Sequence, residues 1–196
     1  MKRHVEKLKS VGQTSKWMEF LIRRHNADVA PFDDWEFYDF YVYVRQLPYI
    51  DDGDDEQLSR PKYTLPLPQA TGGKILKFPG KEAETADFRD CDDKAIIIGC
   101  WLYRQGIPFR IIACSYKAKD EIHHCILQTQ NPRMFVDATY PDEDDFPPTK
   151  DYYNITPLSG WITNRDVKPA VTKELVRNGE RMVAGRKAAR AKGYYG

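Results

Sequence analysis

Between Asp90 and Pro108 the chain places a cysteine at the start of an apolar helix and then stops that helix with Gly106 and Pro108. Asp92 to Gln105 make the helix body, with Ala95, Ile96, Ile98, Gly99, Leu102 and Tyr103 on a wide apolar face. Glycine costs roughly 1 kcal/mol against alanine inside a helix, so Gly99 predicts close approach of a neighbouring element. Strand signals follow at once: Ile107 to Cys114 is rich in β-branched residues, Ile122 to Thr129 alternates imperfectly, and Arg133 to Ala138 is short. Asn131-Pro132 reads as the hairpin turn between the last two. A helix followed by an antiparallel meander specifies an α+β domain.

Upstream, Leu8, Val11, Trp17, Phe20 and Leu21 recur at helical intervals from about Glu6 to Arg24, with Gly12 as an interruption and Pro31 as the end. Asp33 or Asp34 is expected to cap a second helix, Asp34 to Gln46, whose Trp35, Phe37, Tyr38, Phe40, Tyr41 and Tyr43 put rings on nearly every face. The acidic run Asp51 to Glu56 lacks the ligand spacing of a calcium loop and predicts a solvated turn. Residues 58 to 90, rich in Pro and Gly, form a long irregular connection with one short strand at Lys74 to Phe78. Beyond a loop at Pro141 to Pro148, a weaker region up to Trp161 adds a strand or wraps the sheet. Val171 to Lys192 is helical in propensity and strongly basic. The chain is expected to divide into a helical extension (1–30), a main domain (31–165) and a basic helix or tail (166–196).

Lys and Arg number 30 against 29 Asp and Glu, a net charge of +1, which argues against a general affinity for nucleic acid. The basic tail is the surface on which a structural protein partner would dock. No apolar run of signal-peptide or membrane-span length occurs, so a cytoplasmic protein without a Sec signal is expected. The four cysteines show no zinc spacing, and neither a metal nor a cofactor is implied. Cys100, Cys114 and Cys125 read as buried, reduced thiols.

Cys91 is the exception. First-turn amides of a helix point outward unpaired and, with the helix dipole, favour a thiolate there. Such a nucleophile needs a base, and the base needs an orienting acceptor on its other ring nitrogen. His4 and His25 lie in the N-terminal segment, whereas His123 and His124 lie on the strand after the cysteine helix. Adjacent on a strand, they face opposite ways, and only one looks at Cys91. If Cys125 and Leu127 face the core, His124 takes the outward, helix-start side. Asp137 lies across the hairpin, within cross-strand reach of a histidine.

Asp90-Cys91-Asp92-Asp93-Lys94-Ala95, Gly106-Ile107-Pro108-Phe109-Arg110, His123-His124-Cys125 and Asp137-Ala138-Thr139-Tyr140-Pro141 together resemble the transglutaminase-like superfamily of cysteine enzymes. That family reads G-x-C at the helix start, G-I-P-x-R after the helix, H-x-[WY] on the next strand and D-x-T on the one after. The resemblance covers about residues 40 to 141. Val44 to Asp51 and Glu56 to Pro61 are similar to the segment preceding the cysteine in short phage- and prophage-encoded members. It implies a papain-like core with Cys91 as nucleophile, His124 as base and Asp137 as orienter. Backbone N–H groups of Cys91 or Asp92 would supply one oxyanion donor, and Gln57 or Trp35 a second. Arg89 stands where the family has glycine, and Ile126 or Cys125 where it has an aromatic. The implied activity is hydrolysis of an amide or peptide bond in a protein or peptide substrate through an acyl thioester, rather than cross-linking. The competing expectation is an idle fold serving as a structural or assembly protein of a phage particle.

Overall fold

The computed structural model of the chain describes residues 11–50, 58, 60–61, 90–131, 133–139 and 152–167. The acidic run at 51–56, Gln57, the strand expected at 74–78, Arg89, the loop at 141–148 and the basic helix at 171–192 lie outside the described residues.

Helix α1 (Val11–His25) leads into a stretch of 3-10 helix (Asn26–Phe32), then α2 (Phe37–Gln46) and α3 (Cys91–Arg104). Four strands follow: β1 (Phe109–Ser115), β2 (His124–Thr129), β3 (Met134–Val136) and β4 (Tyr153–Pro157). The sheet runs β3-β2-β1-β4, with every pairing antiparallel. The architecture is α+β. The region before Trp161 contributes β4, which pairs with β1 at the opposite edge from β3.

Pro31 sits inside the 3-10 stretch instead of closing α1, which ends at His25. The cap of α2 also differs from expectation. Its N-cap is Glu36, with no side-chain cap bond, while both carboxylate oxygens of Asp33 go to the Arg104 guanidinium at the far end of α3. A bidentate charged partner outcompetes two local amides, and only the fold brings that partner near.

The main core lies between the helices and one face of the sheet. Met18 and Ile22 of α1, Phe37, Phe40, Tyr41 and Tyr43 of α2, Ile96, Ile97, Trp101 and Leu102 of α3, and Ile111 and Leu127 of the sheet are all buried there. The rings of α2 are therefore mostly enclosed, with Tyr38 exposed. The opposite sheet face is covered too: Ile112, Cys114, Ile126 and Tyr152 form a second, smaller apolar cluster. Burial of both faces explains why the alternation in β2 looked imperfect.

Gly99 is where α3 meets α1 and β1: a Cβ there would lie 2.7 Å from Ile22 Cδ1 and 3.3 Å from Phe109 Cε2. Gly106 turns the chain from α3 into β1 with φ +69°, and a Cβ there would stand 2.8 Å from the Val167 carbonyl oxygen. Gly106→Ala is therefore strained twice, in backbone conformation and against another backbone. A loss of about 1–3 kcal/mol is expected in urea unfolding. An unchanged midpoint would mean that this corner relaxes freely.

Candidate active site

Because a short turn joins α3 to β1, the helix runs antiparallel to β1 and parallel to β2, and the starts of α3 and β2 fall at the same end of the sheet. Cys91 is the first residue of α3 and His124 the first of β2. Desolvation is the main cause that pushes the Cys125 and Tyr116 hydrogens toward retention, and a charge on Cys91 adds to it at both. Both residues adjoin His124: Cys125 follows it in sequence, and the Tyr116 ring is tilted against its ring at 4.6 Å.

His124 is buried, and its Nε2 lies 2.7 Å from Asp137 Oδ2. His123 is exposed, with Nδ1 2.7 Å from the Glu121 carbonyl oxygen, so it is His124 that faces the carboxylate. The hairpin brings them near each other. The β2–β3 pairing ends at Leu127 and Val136, and Asp137 follows directly, where the chain leaves the strand beside the first part of β2.

The carboxylate is surrounded by donors. Asp137 is 1% exposed, and its Oδ1 accepts from the Thr139 backbone N–H at 2.9 Å and from Thr139 Oγ1 at 2.6 Å. Tyr152 Oη donates to Oδ2 at 2.9 Å. Burial alone would raise the Asp137 pKa, but the hydrogen bond and charge of His124 and the two bonds from Thr139 outweigh it and hold the carboxyl below its ordinary value. Asp137 stays an anion in a buried place, which fixes one tautomer of the ring beside it.

Tyr116 completes the cluster. Its Oη lies 2.7 Å from His124 Nε2, and the two rings sit 4.6 Å apart. Burial and the Asp137 charge push the Tyr116 and Tyr152 phenols upward, so both remain protonated donors. With Nε2 engaged by Asp137, Nδ1 is the ring nitrogen left to serve as a base.

The start of α3 differs from the sequence expectation. Two of its first-turn amides are already bonded: Asp90 caps the helix, its Oδ1 accepting from Asp92 N at 3.2 Å and Asp93 N at 3.4 Å. Asp92, offered as an oxyanion donor through that N–H, therefore spends it on Asp90. Asp92 and Asp93 are buried in the same turn. Burial first, then the bond to Asp90 and nearby negative charge, pushes the Asp92 carboxyl well above its ordinary value. The Asp90 side chain, by taking two of these amides, removes part of the help that the helix start gives a Cys91 thiolate. Ligand oxygens of Asp90, Asp92 and Asp93 lie within 4.8 Å of one another. Asp90 Oδ1 serves the helix cap, and burial favours the protonated form of Asp92.

Trp35 lies elsewhere. Its ring packs on Phe32 at 4.9 Å and Tyr43 at 5.5 Å, next to the Asp33 that pairs with the last turn of α3, at the opposite end of that helix from Cys91. The four cysteines form no disulfide. Burial pushes the Cys114 thiol up to about 12 and the Cys100 thiol well above its ordinary value, so neither is a nucleophile.

Tyr116, Tyr152 and Thr139 were not picked out from the sequence. Thr139 carried a signal in Asp137-Ala138-Thr139, whereas the tyrosines had none, because only the β1–β2 and β1–β4 pairings bring them to the histidine. Among the described residues no helix is long and apolar enough to cross a membrane. Compared with known proteins, the chain matches no family model, no curated protein and no solved structure.

Proposed function

We propose that the chain is a cysteine enzyme of the transglutaminase-like, papain-like kind that cleaves amide or peptide bonds through an acyl thioester on Cys91. One observation carries this reading: a buried His124–Asp137 pair at 2.7 Å, braced by Thr139 and Tyr152, at the end of the sheet where the helix bearing Cys91 begins. A histidine that needed only a polar partner would be satisfied by one bond. Donors from His124, Tyr116 and Tyr152 and two from Thr139, all aimed at one buried carboxylate, are what an orienting anion requires.

In the proposed cycle the Cys91 thiol gives its proton to His124 Nδ1, and sulfur bonds to the carbonyl carbon of the substrate. The imidazolium, stabilised by Asp137, returns that proton to the departing amine as the C–N bond breaks. Water, deprotonated by His124, attacks the thioester carbon. The C–S bond breaks, and the product acid and the original thiol are restored.

The test is iodoacetamide labelling of Cys91 followed by peptide mass spectrometry. An ordinary thiol slows about tenfold per pH unit below roughly 8.5. Cys91 is expected to keep most of its pH 8 rate at pH 6, and His124→Ala to remove that advantage. Ordinary labelling, unaffected by the substitution, would instead favour a structural or assembly protein, for instance of a phage particle. That second reading has its own support at the start of α3, where Asp90 Oδ1 already occupies two of the first-turn amides that would favour a thiolate.

A further inference from the structure

We propose that Tyr41 and Lys94 are positioning residues, which hold the Asp137 loop, and through it His124, in place against the helix that carries Cys91. The inference rests on the acyl-transfer reading above. Asp137 and Ala138 lie just past the last residue of β3, where the strand ladder no longer fixes the backbone. Both of their carbonyls are gripped. Asp137 O accepts from Tyr41 Oη at 2.6 Å, and Ala138 O accepts from Lys94 Nζ at 3.3 Å.

Lys94 is one turn into α3 from Cys91 and is 2% exposed. Among the described residues it also donates to Arg45 O at 3.1 Å and Leu47 O at 2.8 Å, carbonyls at the end of α2. Carbonyl acceptors on three sides suit an ammonium group, which has three N–H donors to give. A buried lysine is costly where an apolar chain of equal length would fill the space, so the group is explained by what it joins. It joins the end of α2, the first turn of the nucleophile helix and the loop of the orienting carboxylate. Tyr41, 0% exposed on α2, holds the same loop one residue earlier. The aromatic second helix thus has two roles, filling the core with Phe37, Phe40 and Tyr43 and fixing the loop with Tyr41.

Tyr41→Phe removes a single oxygen, and Lys94→Met keeps the length of the stem. Two readouts apply to each variant, together with a thermal melt: the ¹⁵N NMR tautomer of His124, and the pH profile of Cys91 alkylation by iodoacetamide. In the unsubstituted protein the ring proton is expected on Nε2, toward Asp137. In Tyr41→Phe a mixture of tautomers and a ten- to hundredfold slower alkylation at pH 6 are expected, as about 1 Å of misplacement produces. The rate at pH 9, where any thiol is ionised, should change less than twofold. Lys94→Met should do the same more strongly, and if it does not fold, Tyr41→Phe decides alone. A melting temperature that drops while tautomer and profile stay unchanged would overturn the proposal, leaving both residues as core packing. If Cys91 in the unsubstituted protein labels as an ordinary thiol, the enzyme reading fails, while the tautomer of His124 still reports whether the loop is held.

Discussion

Asp137→Asn is expected to slow hydrolysis of p-nitrophenyl acetate by Cys91 at least about 10³-fold while leaving the fold recognisable by circular dichroism. The amide keeps the shape of the carboxyl but can present its NH₂ to His124, which selects the wrong tautomer, an exchange that costs about 10⁴-fold in a serine-protease triad. Asp137→Ala removes more. His124 Nε2, Tyr152 Oη and two donors of Thr139 lose their acceptor together, and a stability loss of about 3–5 kcal/mol is expected. The pH dependence has a definite sign. The folded pKa of Asp137 is lowered, so its stabilisation is complete above the unfolded carboxyl value of about 3.9 and is lost as pH falls through the folded value. Asp92 works in the opposite sense: its pKa is raised, so its contribution is complete below about 3.9 and is lost as pH rises through the folded value. The stability gap between the native protein and Asp137→Ala should therefore close in acid, as urea titrations at stepped pH would measure. A gap that persists unchanged at low pH would mean that the carboxylate charge is not what holds the network.

Trp101→Ala should produce the largest loss of stability in the core, about 3–5 kcal/mol, and lower the melting temperature by roughly 10 °C. Trp101 is fully buried, stacked on Phe40 with ring centres 5.8 Å apart and tilted against Phe37 at 5.6 Å. Its Nε1–H donates to the Phe32 carbonyl at 2.9 Å, so alanine also removes one of the two donors on that oxygen, leaving the Trp35 N–H at 3.1 Å. Trp101→Phe should recover most of the packing and lose only the bond. An alanine variant within about 1 kcal/mol of the native protein in guanidinium unfolding would show that α3 is not the centre of the core.

The start of α3 at Asp90-Cys91 and its stop at Gly106 were legible because caps and breakers are local. The three strands after it were legible for the same reason, and the one-residue alternation of β2 was enough to set His124 and His123 on different sides. What escaped depends on partners far along the chain. Asp33 reads as a helix cap until Arg104, 71 residues later, claims it. The role of Lys94 was not legible, because nothing local announces carbonyls 44 to 49 residues away. The unpaired first-turn amides were inferred from helix geometry alone, and the side chain of Asp90 occupies two of them.

The strand order β3-β2-β1-β4 has a consequence for the time course of synthesis. β1 pairs with a strand that follows it directly and with the last of the described strands, so its second edge is filled only once Tyr153–Pro157 have left the ribosome. Tyr152, a donor to Asp137, arrives on that same segment. Until β4 docks, the Asp137 carboxylate lacks the Tyr152 donor. Full bracing of this buried anion is in this way tied to the arrival of a strand far along the chain from the hairpin that carries it.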